Sequence, residues 1–374
     1  MISNSYILQI RKLVRFISIY GFSRAFVKVL GRLRPNIKVA LFLRLLPFRS
    51  GTGHVGIIGA GQHAFSSIAF FISRFTKGKI SFVYDTNKKM SDSLAYAYGA
   101  DSLQEIPFLI TEIKQKYDIV YIASNHASHA FYALKLIELG ESDVFIEKPL
   151  ALDMRQLSML SEAMRGFTKR VFAGYNRPFS PAIKKIRSHI KPVGPISLSC
   201  SVIGHFIPSD HWYRKSEEGS RVVANLGHWI DLAVNLLSAR SFFPNHIDIS
   251  YLPSDATQPS DNVSISLSSD RGDLVNIFFT SRSEPFEGVN ETILFQQSDL
   301  IAKIDDFRRM SLWRGDRLSN YSYKPKDNGH KECVLQPFRK GVSRTWIELE
   351  RSTRLMLHIE QMVMEQTFKL RVHF

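Results

Sequence analysis

Between residues 53 and 175, short apolar runs alternate with longer segments whose apolar residues recur at helical spacing. Each run is too short for a helix and is apolar almost without a break, which is typical of strands buried on both faces of a parallel sheet. The runs cover residues 54–58, 80–84, 118–123, 144–146 and 170–173. This alternation predicts a doubly wound α/β domain over residues 53–175.

After residue 176 the pattern changes to an alternation of apolar and polar positions, which is clearest in residues 263–267. Such alternation indicates strands with one buried face, and a turn signal at residues 270–273 separates two of them. Residues 176–330 are therefore predicted to form an α+β domain with a largely antiparallel, open sheet. A C-terminal segment of residues 331–374 contains a predicted helix from Thr345 to Lys369.

Residues 1–52 are predicted to form a basic helical extension of two amphipathic helices. In the second helix the basic positions Arg24, Lys28 and Arg32 form a stripe at i, i+4 and i+8, opposite the apolar positions. Two interpretations of the extension stay open. Basic amphipathic helices can lie on anionic membrane surfaces, or their apolar faces can pack on the body of the protein or on a partner subunit.

Charge and cysteine content narrow the class of protein. The formal net charge is +15, but residues 1–50 hold ten Lys and Arg residues and no Asp or Glu. The rest of the chain carries 39 basic and 34 acidic residues, so a nucleic-acid partner is not expected. Two cysteines argue against a disulfide framework and favour a cytoplasmic location, with peripheral contact at the inner face of the membrane as an alternative.

A glycine-rich turn follows the first apolar run directly. Gly59, Gly61 and Ala64 form the pattern G-x-G-x-x-A of a Rossmann domain. In this pattern the first glycine allows a tight turn, the second lets the backbone approach a pyrophosphate, and the alanine permits close helix packing. Gln62 and His63 lie in the same turn, at a helix N-terminus that would face the phosphates. All five positions are predicted to bind a dinucleotide.

Asp85 ends the second apolar run, at the position where a carboxylate accepts hydrogen bonds from the adenosine ribose. The same carboxylate repels a 2′-phosphate, so NAD is predicted as the cofactor, while Lys88 keeps NADP open as an alternative. Ser124 and Asn125 follow a later run, and their short polar side chains suit the nicotinamide side of the site.

Glu147, Lys148 and Pro149 follow the run at residues 144–146. They would lie at the carboxyl end of a parallel strand, where open α/β sheets bind their ligands. A tripeptide this short also fits a surface salt bridge in a loop. Its position after a dinucleotide fingerprint and a ribose carboxylate favours a catalytic role for Lys148.

Taken in order, these motifs resemble the Gfo/Idh/MocA family of nicotinamide-dependent sugar and polyol oxidoreductases. The resemblance covers residues 53–325 and includes the run at residues 174–177. It implies that Lys148 contacts both the substrate and the nicotinamide. It also implies a homo-oligomer paired through one face of the open sheet. The cofactor-binding positions that it adds are Ser124, Asn125, His129, Glu147, Lys148 and Arg177.

The resemblance implies a catalytic histidine in a Gly-x-His-x-x-Asp helix, which His228 and Asp231 match. His228 would take the substrate hydroxyl proton while hydride leaves the same carbon; a histidine that only supports the helix is the alternative. Many family members carry an aspartate four residues before the histidine, where this chain has Ala224, followed by Asn225. Asparagine cannot stabilise a charged imidazole as aspartate does. Lys148 is therefore expected to carry more of the proton transfer.

Polar and aromatic residues before His228 are expected to bind substrate. Arginines bind phosphate or carboxylate through paired hydrogen bonds, which hints at an anionic or nucleotide-linked sugar, and aromatic side chains can stack on a sugar ring. No metal site is expected, because the histidines form no helical i, i+4 pair and lack neighbouring cysteines. The predicted substrate-binding residues are Lys148, Arg177, His211, Trp212, Tyr213, Arg214, Arg221, Asn225 and His228.

The sequence favours an NAD-dependent dehydrogenase or reductase of a sugar in surface-polysaccharide metabolism, with Lys148 and His228 handling the proton. Two alternatives stay open. One is a lyase or hydrolase that oxidises the sugar transiently and returns the hydride. The other is a catalytically weak NAD-binding scaffold or sensor at a membrane face, which Ala224 and the basic extension both motivate.

Overall fold

The structure is a computed structural model that describes residues 4–34, 53–105, 117–283, 285–341 and 343–374. The chain divides into two compact units. The first unit contains residues 22–175 and 330–346, and the second contains residues 1–21, 176–329 and 347–374. Each of the two flanking segments, at the N-terminus and at the C-terminus, therefore contributes residues to both units.

Two helices open the chain, as the spacing predicts: α1 (Asn4–Tyr20) in the second unit and α2 (Phe22–Leu33) in the first. The expected basic stripe of α2 does not all face away from the protein. The Arg24 guanidinium lies 4.4 Å from the centre of the Phe71 ring and donates a hydrogen bond to Ser66 O. The long aliphatic stem of arginine lets it lie along an apolar surface and still reach a carbonyl.

Helix α1 lies against loops of the second unit. Lys326 N donates to Ile19 O at 2.7 Å, and Arg15 pairs with Glu287. Several apolar side chains of the helix remain exposed, and they are Ile7, Leu8, Ile10, Leu13 and Val14. None of the helices in the described ranges is both long and apolar enough to cross a membrane.

The first unit is built on a six-stranded parallel sheet in the order β3-β2-β1-β4-β5-β6. From β1 the chain builds the sheet first in one direction, through β2 and β3, and then in the other, from β4 to β6. In such sheets, ligands bind at the carboxyl ends of the two strands where the direction changes, here β1 and β4. The strands are β1 (Gly53–Ile58), β2 (Gly78–Tyr84), β3 (Asp101–Leu103), β4 (Ile119–Ile122), β5 (Asp143–Ile146) and β6 (Val171–Ala173).

Helices connect these strands, as the alternating pattern predicts. The first begins at residue 62, passes through a π-helical segment (Ala64–Ala69) and ends in α3 (Phe70–Phe75). Asn87 and Asp153 cap the helices that begin at Lys88 and Met154, and each side chain accepts a hydrogen bond from a backbone N–H group. The remaining helices are α4 (Lys88–Tyr98), α5 (His129–Leu139) and α6 (Met154–Met164).

The second unit contains a nine-stranded sheet in the order β14-β13-β12-β11-β7-β10-β9-β8-β15. All neighbours are antiparallel except β7 and β10, which run parallel. This confirms the predicted largely antiparallel sheet. The strands are β7 (Ser197–Ile203), β8 (His246–Pro253), β9 (Val263–Ser269), β10 (Leu274–Thr280), β11 (Asn290–Gln297), β12 (Leu300–Asp305), β13 (Arg309–Arg314), β14 (Arg317–Ser322) and β15 (Lys369–His373).

Alternating burial along these strands gives the sheet one covered and one open face. In β10, Val275, Ile277 and Phe279 are buried, while Leu274 and Phe278 are exposed. The helices of this unit are α7 (Pro181–Arg187) and α8 (Gly227–Leu237), and a π-helical segment (Val222–Leu226) leads into α8.

The C-terminal segment contributes one helix to each unit. Helix α9 (His330–Val334) belongs to the first, where Tyr121 Oη donates to Val334 O at 2.6 Å. Helix α10 (Trp346–Glu365) lies almost wholly in the second and confirms the predicted terminal helix. Its predicted apolar stripe is buried, and the stripe consists of Leu355, Ile359, Met362 and Val363.

Candidate cofactor and substrate residues

The fingerprint turn has the geometry that a dinucleotide requires. Gly59 has φ = 95°, and a Cβ there would overlap the backbone of Ala123 and Ser124. Only glycine therefore fits this turn. At Gly61, by contrast, a Cβ would meet no described atom within 4 Å. The open space beside Gly61 lies at the start of the helix, where backbone N–H groups can receive a phosphate.

Asp85 is joined to the fingerprint directly. Its Oδ2 accepts a hydrogen bond from Ala60 N at 2.6 Å, and its Oδ1 accepts one from Asn87 N at 2.8 Å. A carboxylate has about four acceptor positions, so both oxygens retain capacity for ribose hydroxyls. The half-buried Asp85 thus fixes the turn and can still receive a ribose.

Gln62 and His63 lie in the turn, but their side chains bind protein groups. Gln62 Nε2 donates to Lys28 O at 2.9 Å, which ties the turn to α2. His63 Nε2 lies 3.0 Å from Glu147 Oε1. Neither contact was foreseen, because each partner is remote in sequence. The predicted cofactor role of these residues therefore falls to their backbone at the helix N-terminus.

Glu147 is a buried carboxylate, only 8% exposed. Burial by itself would raise the pKa of Glu147, but the charge and hydrogen bond of His63, with Lys148 and His129 nearby, leave that pKa below its usual value. A Cβ on Gly174 would overlap the Glu147 carboxylate, so Gly174 makes room for it. The anchored Glu147 holds the half-buried Lys148 at the end of β5.

His129 joins two loops at the same edge of the sheet. Its Nδ1 lies 2.8 Å from Pro149 O and its Nε2 lies 3.1 Å from Ser124 O. Burial lowers the pKa of His129 even though both carbonyls favour the charged ring. A neutral imidazole has one N–H and donates to one of the two carbonyls. His129 therefore positions the ends of β4 and β5, and Asn125 stays exposed beside it.

The structure gathers most of the predicted cofactor residues within the first unit, at the carboxyl ends of its strands. Ser124 Oγ lies 2.7 Å from Ser128 Oγ, which in turn donates to Asn125. The residues at this edge are Gly59, Gly61, Gln62, His63, Ala64, Asp85, Ser124, Asn125, His129, Glu147 and Lys148.

Arg177, predicted to bind cofactor and substrate, lies in the second unit and is buried. Its Nη2 lies 3.3 Å from Glu291 Oε1, and Trp229 Nε1 donates to Glu291 Oε2 at 2.7 Å. The guanidinium also lies 4.7 Å from the centre of the Trp229 ring. Arg177 and Glu291 thus form a buried ion pair beneath α8.

Arg214 and Arg221 likewise have partners within the chain. Arg214 makes two hydrogen bonds of 2.7 Å to Asp261. Arg221 donates to Ser281 Oγ at 2.6 Å and to Asn225 Oδ1 at 3.1 Å, and burial lowers its pKa to about 10. These carboxylate and carbonyl partners weaken the argument for an anionic substrate that the arginines suggested.

His211, Trp212 and Tyr213 form an aromatic cluster at the surface of the second unit. The Trp212 and Tyr213 rings meet edge to face with centroids 4.2 Å apart, and Tyr213 N donates to His211 Nδ1 at 3.2 Å. Trp212 is 41% exposed. The cluster offers a firm apolar surface of the kind that stacks on a sugar ring.

His228 lies half-buried in the first turn of α8, three residues before the fully buried Asp231. Ala224 is buried in the π-helical segment before it. Asn225 accepts the hydrogen bond from Arg221, so its carbonyl oxygen is engaged there.

Within the described part of the chain, no three His, Cys, Asp or Glu side chains gather into a group that could hold a metal ion.

Comparisons with known proteins find similarity to residues 54–175 of the first unit. Residues 54–175 match a family described as oxidoreductases with an NAD-binding Rossmann fold. Glucose-6-phosphate 3-dehydrogenase of Bacillus subtilis is 26% identical over 137 residues, which are 36% of this chain and 37% of that protein. Oxidoreductase cns1 of Cordyceps militaris is 24% identical over 34% of this chain and 16% of its own length. The chain thus spans well under half of these relatives.

Solved structures share the fold over most of the chain. GenD2 from gentamicin A biosynthesis, in complex with NAD, has a TM-score of 0.70 at 14% identity, covering 88% of this chain and 100% of its own. The UDP-N-acetylglucosamine 3-dehydrogenase GnnA of Acidithiobacillus ferrooxidans has a TM-score of 0.66 at 17% identity, covering 83% and 98%. At these identities the likeness is one of fold.

Proposed function

We propose that the protein is an NAD-dependent sugar dehydrogenase or reductase of the Gfo/Idh/MocA family, because residues 54–175 match the NAD-binding Rossmann domain of that family. The observation that carries the proposal is the set of groups at the carboxyl ends of β1, β2 and β5. There a glycine turn open at Gly61, the carboxylate of Asp85 and the anchored pair Glu147–Lys148 lie at one sheet edge.

Each group has a part in the proposed chemistry. When bound, NAD supplies an acceptor for the hydride that leaves a carbon bearing a hydroxyl group. The turn at Gly59 and Gly61 and the first turn of the following helix hold the pyrophosphate, and Asp85 holds the adenosine ribose. Lys148 takes the hydroxyl proton in oxidation and returns it in reduction. Glu147, fixed by His63, keeps the Lys148 backbone in place.

His228 shares the proton transfer in this proposal, with the smaller part. Ala224 supplies no carboxylate to stabilise a charged imidazole, and the Asn225 oxygen accepts from Arg221. A histidine with alanine at this position is a weaker base than one with the aspartate that many family members carry there. Lys148 therefore carries most of the transfer.

A sugar is the substrate class that the second unit supports best. Trp212 and Tyr213 present an exposed aromatic surface, which suits the apolar face of a sugar ring. Because Arg177, Arg214 and Arg221 have protein partners, charge on the substrate is a secondary feature. Similarity to proteins named as sugar dehydrogenases agrees with this class.

Two further features belong to the proposal. Apolar residues on the open face of the nine-stranded sheet, including Leu274, Phe278 and Leu294, suit pairing with a second copy of the chain. Exposed Ile10 and Val14 on α1, with Arg11 nearby, suit contact with an anionic membrane surface from the cytoplasm.

A second candidate, an NAD-binding protein with little or no turnover, draws its support from Ala224. Turnover separates the candidates. The purified protein is incubated with NAD and a panel of neutral sugars, uronic acids and sugar nucleotides while NADH is followed by absorbance. We expect one sugar class to reduce NAD; tight NADH binding with no turnover across the panel would favour the second candidate.

Lys148→Met tests the assigned role within that assay. Loss of a positioned proton carrier lowers turnover by roughly 10²- to 10⁴-fold, while NADH binding persists because the turn and Asp85 are unchanged. Lys135→Met, on the exposed side of α5, is the matched control and should leave turnover unchanged. Near-normal turnover of the Lys148 variant would remove Lys148 from the mechanism.

A further inference from the structure

Arg34 is a buried arginine beside the fingerprint turn. It follows α2 directly, is 1% exposed, and donates a hydrogen bond from Nη2 to Ala60 O. Its guanidinium lies 4.6 Å from the centre of the Phe65 ring, and its Nη2 lies 3.9 Å from Met90 Sδ. Met90 belongs to the first turn of α4, which follows Asp85. Arg34 therefore lies between the phosphate-binding turn and the loop that carries the ribose carboxylate.

Helix α2 is closely fitted to this place. Gln62 of the turn donates to Lys28 O, and a Cβ on Gly31 would lie 2.8 Å from the Gln62 side-chain amide. The Ala60 backbone is held at both of its polar groups, since its N–H donates to Asp85 and its C=O accepts from Arg34. A single residue thus lies between a carboxylate and a guanidinium. This arrangement sets Arg34 at the adenosine end of the cofactor site.

The Arg34 guanidinium has further hydrogen-bond donors beyond Nη2. Among the described residues, its Nε and Nη1 have no hydrogen-bond partner although both atoms are buried. Burial lowers the pKa of Arg34 to about 10, and Tyr98 and Asp85 act in the opposite direction, so the group is charged at neutral pH. Buried donors without partners are destabilising, and a charged one suits an anion with several acceptor oxygens.

We propose that Arg34 is a cofactor-specificity residue that accepts a 2′-phosphate on the adenosine ribose, so that the protein binds NADP(H) as well as NAD(H). The proposal rests on the proposed cofactor function and extends it. A carboxylate such as Asp85 favours the free 2′-hydroxyl, whereas a neighbouring arginine accommodates the 2′-phosphate. This site contains both groups, and the arginine comes from the N-terminal extension.

The test measures binding rather than turnover, so that it stands apart from the substrate. NADH and NADPH are titrated against the full-length protein by fluorescence, and the ratio of the two dissociation constants is compared with that of Arg34→Met. We expect wild-type protein to bind both nucleotides. Arg34→Met should weaken NADPH binding by roughly 10- to 100-fold more than it weakens NADH binding. The bond to Ala60 is lost with either nucleotide, whereas the bond to the 2′-phosphate is lost with NADPH alone.

Arg32→Met, an exposed position on the same helix, is the matched control and should change neither constant. Arg34→Lys keeps the charge but loses the paired donors, so it should weaken NADPH selectively by a smaller factor; it keeps the test decisive if Arg34→Met does not fold. Equal weakening of both nucleotides would assign Arg34 to holding Ala60 alone and overturn the inference, as would an unchanged ratio. Wild-type protein that binds neither nucleotide would instead refute the proposed cofactor function.

Discussion

His63 Nε2 lies 3.0 Å from Glu147 Oε1 and joins the dinucleotide turn after β1 to the tripeptide after β5. The two residues are separated by 84 positions in the chain. Through this contact, the loop that receives the phosphates and the loop that presents Lys148 become one structure. Glu147 therefore acts in the proposed chemistry by positioning Lys148.

The Glu147 carboxylate should make stability depend on pH. Its pKa in the folded protein lies below the ordinary value of 4.5, so its contribution is full above pH 4.5 and is lost as the pH falls through the lowered value. Glu147→Gln mimics the protonated form. We expect wild type to unfold at a higher temperature than this variant at pH 6 and the difference to shrink below pH 4.5. Thermal unfolding of both proteins across this range checks it, and a constant difference would contradict it.

Gly174→Ala tests whether the space beside Glu147 is required. The new methyl group would overlap the Glu147 carboxylate and force it from His63. We expect a loss of about 1–3 kcal/mol in the free energy of unfolding, as for overpacked sites, together with reduced turnover. Gly166→Ala is the control, since its Cβ would meet no described atom within 4 Å. Equal stability of the two variants in chemical denaturation would show that Glu147 is not confined as described.

The buried pair of Arg177 and Glu291 should be sensitive to removal of one partner. Glu291→Gln leaves the buried Arg177 guanidinium without its counter-charge, which costs about 3–5 kcal/mol. Asp305→Asn breaks the exposed pair with Arg309 and is expected to cost about 0–1 kcal/mol. Denaturant titrations measure both. If Glu291→Gln lost no more free energy of unfolding than Asp305→Asn, the buried pair would not stabilise the fold as described.

The sequence predicted the parts of the molecule that short-range patterns determine. The apolar runs became β1, β2, β4, β5 and β6 because strands buried on both faces need uninterrupted apolar residues. Gly59 was recognisable because few other residues tolerate its backbone angle. The terminal helix was predictable because its apolar residues recur at helical spacing along the chain.

The contacts that fix the site were not predictable in this way. Glu291 and Arg177 are 114 positions apart, and an isolated glutamate in an alternating strand gives no sign of its partner. The basic positions on α2 suggested a stripe that could meet a membrane surface, yet Arg24 contacts Ser66 and Phe71 of the same unit. Periodicity identifies the face of a helix but not the surface it meets, which depends on the folded chain.

The most direct test of the central claim is mass spectrometry of the small molecules released from the purified, full-length protein. We expect NAD(H) or NADP(H), bound through the turn at Gly59 and Gly61 with Asp85 at the ribose. We also expect its loss from a Gly61→Asp variant, in which a carboxylate occupies the phosphate space. Absence of any nicotinamide nucleotide from the wild-type protein, together with no NADH or NADPH binding when either is added, would contradict it.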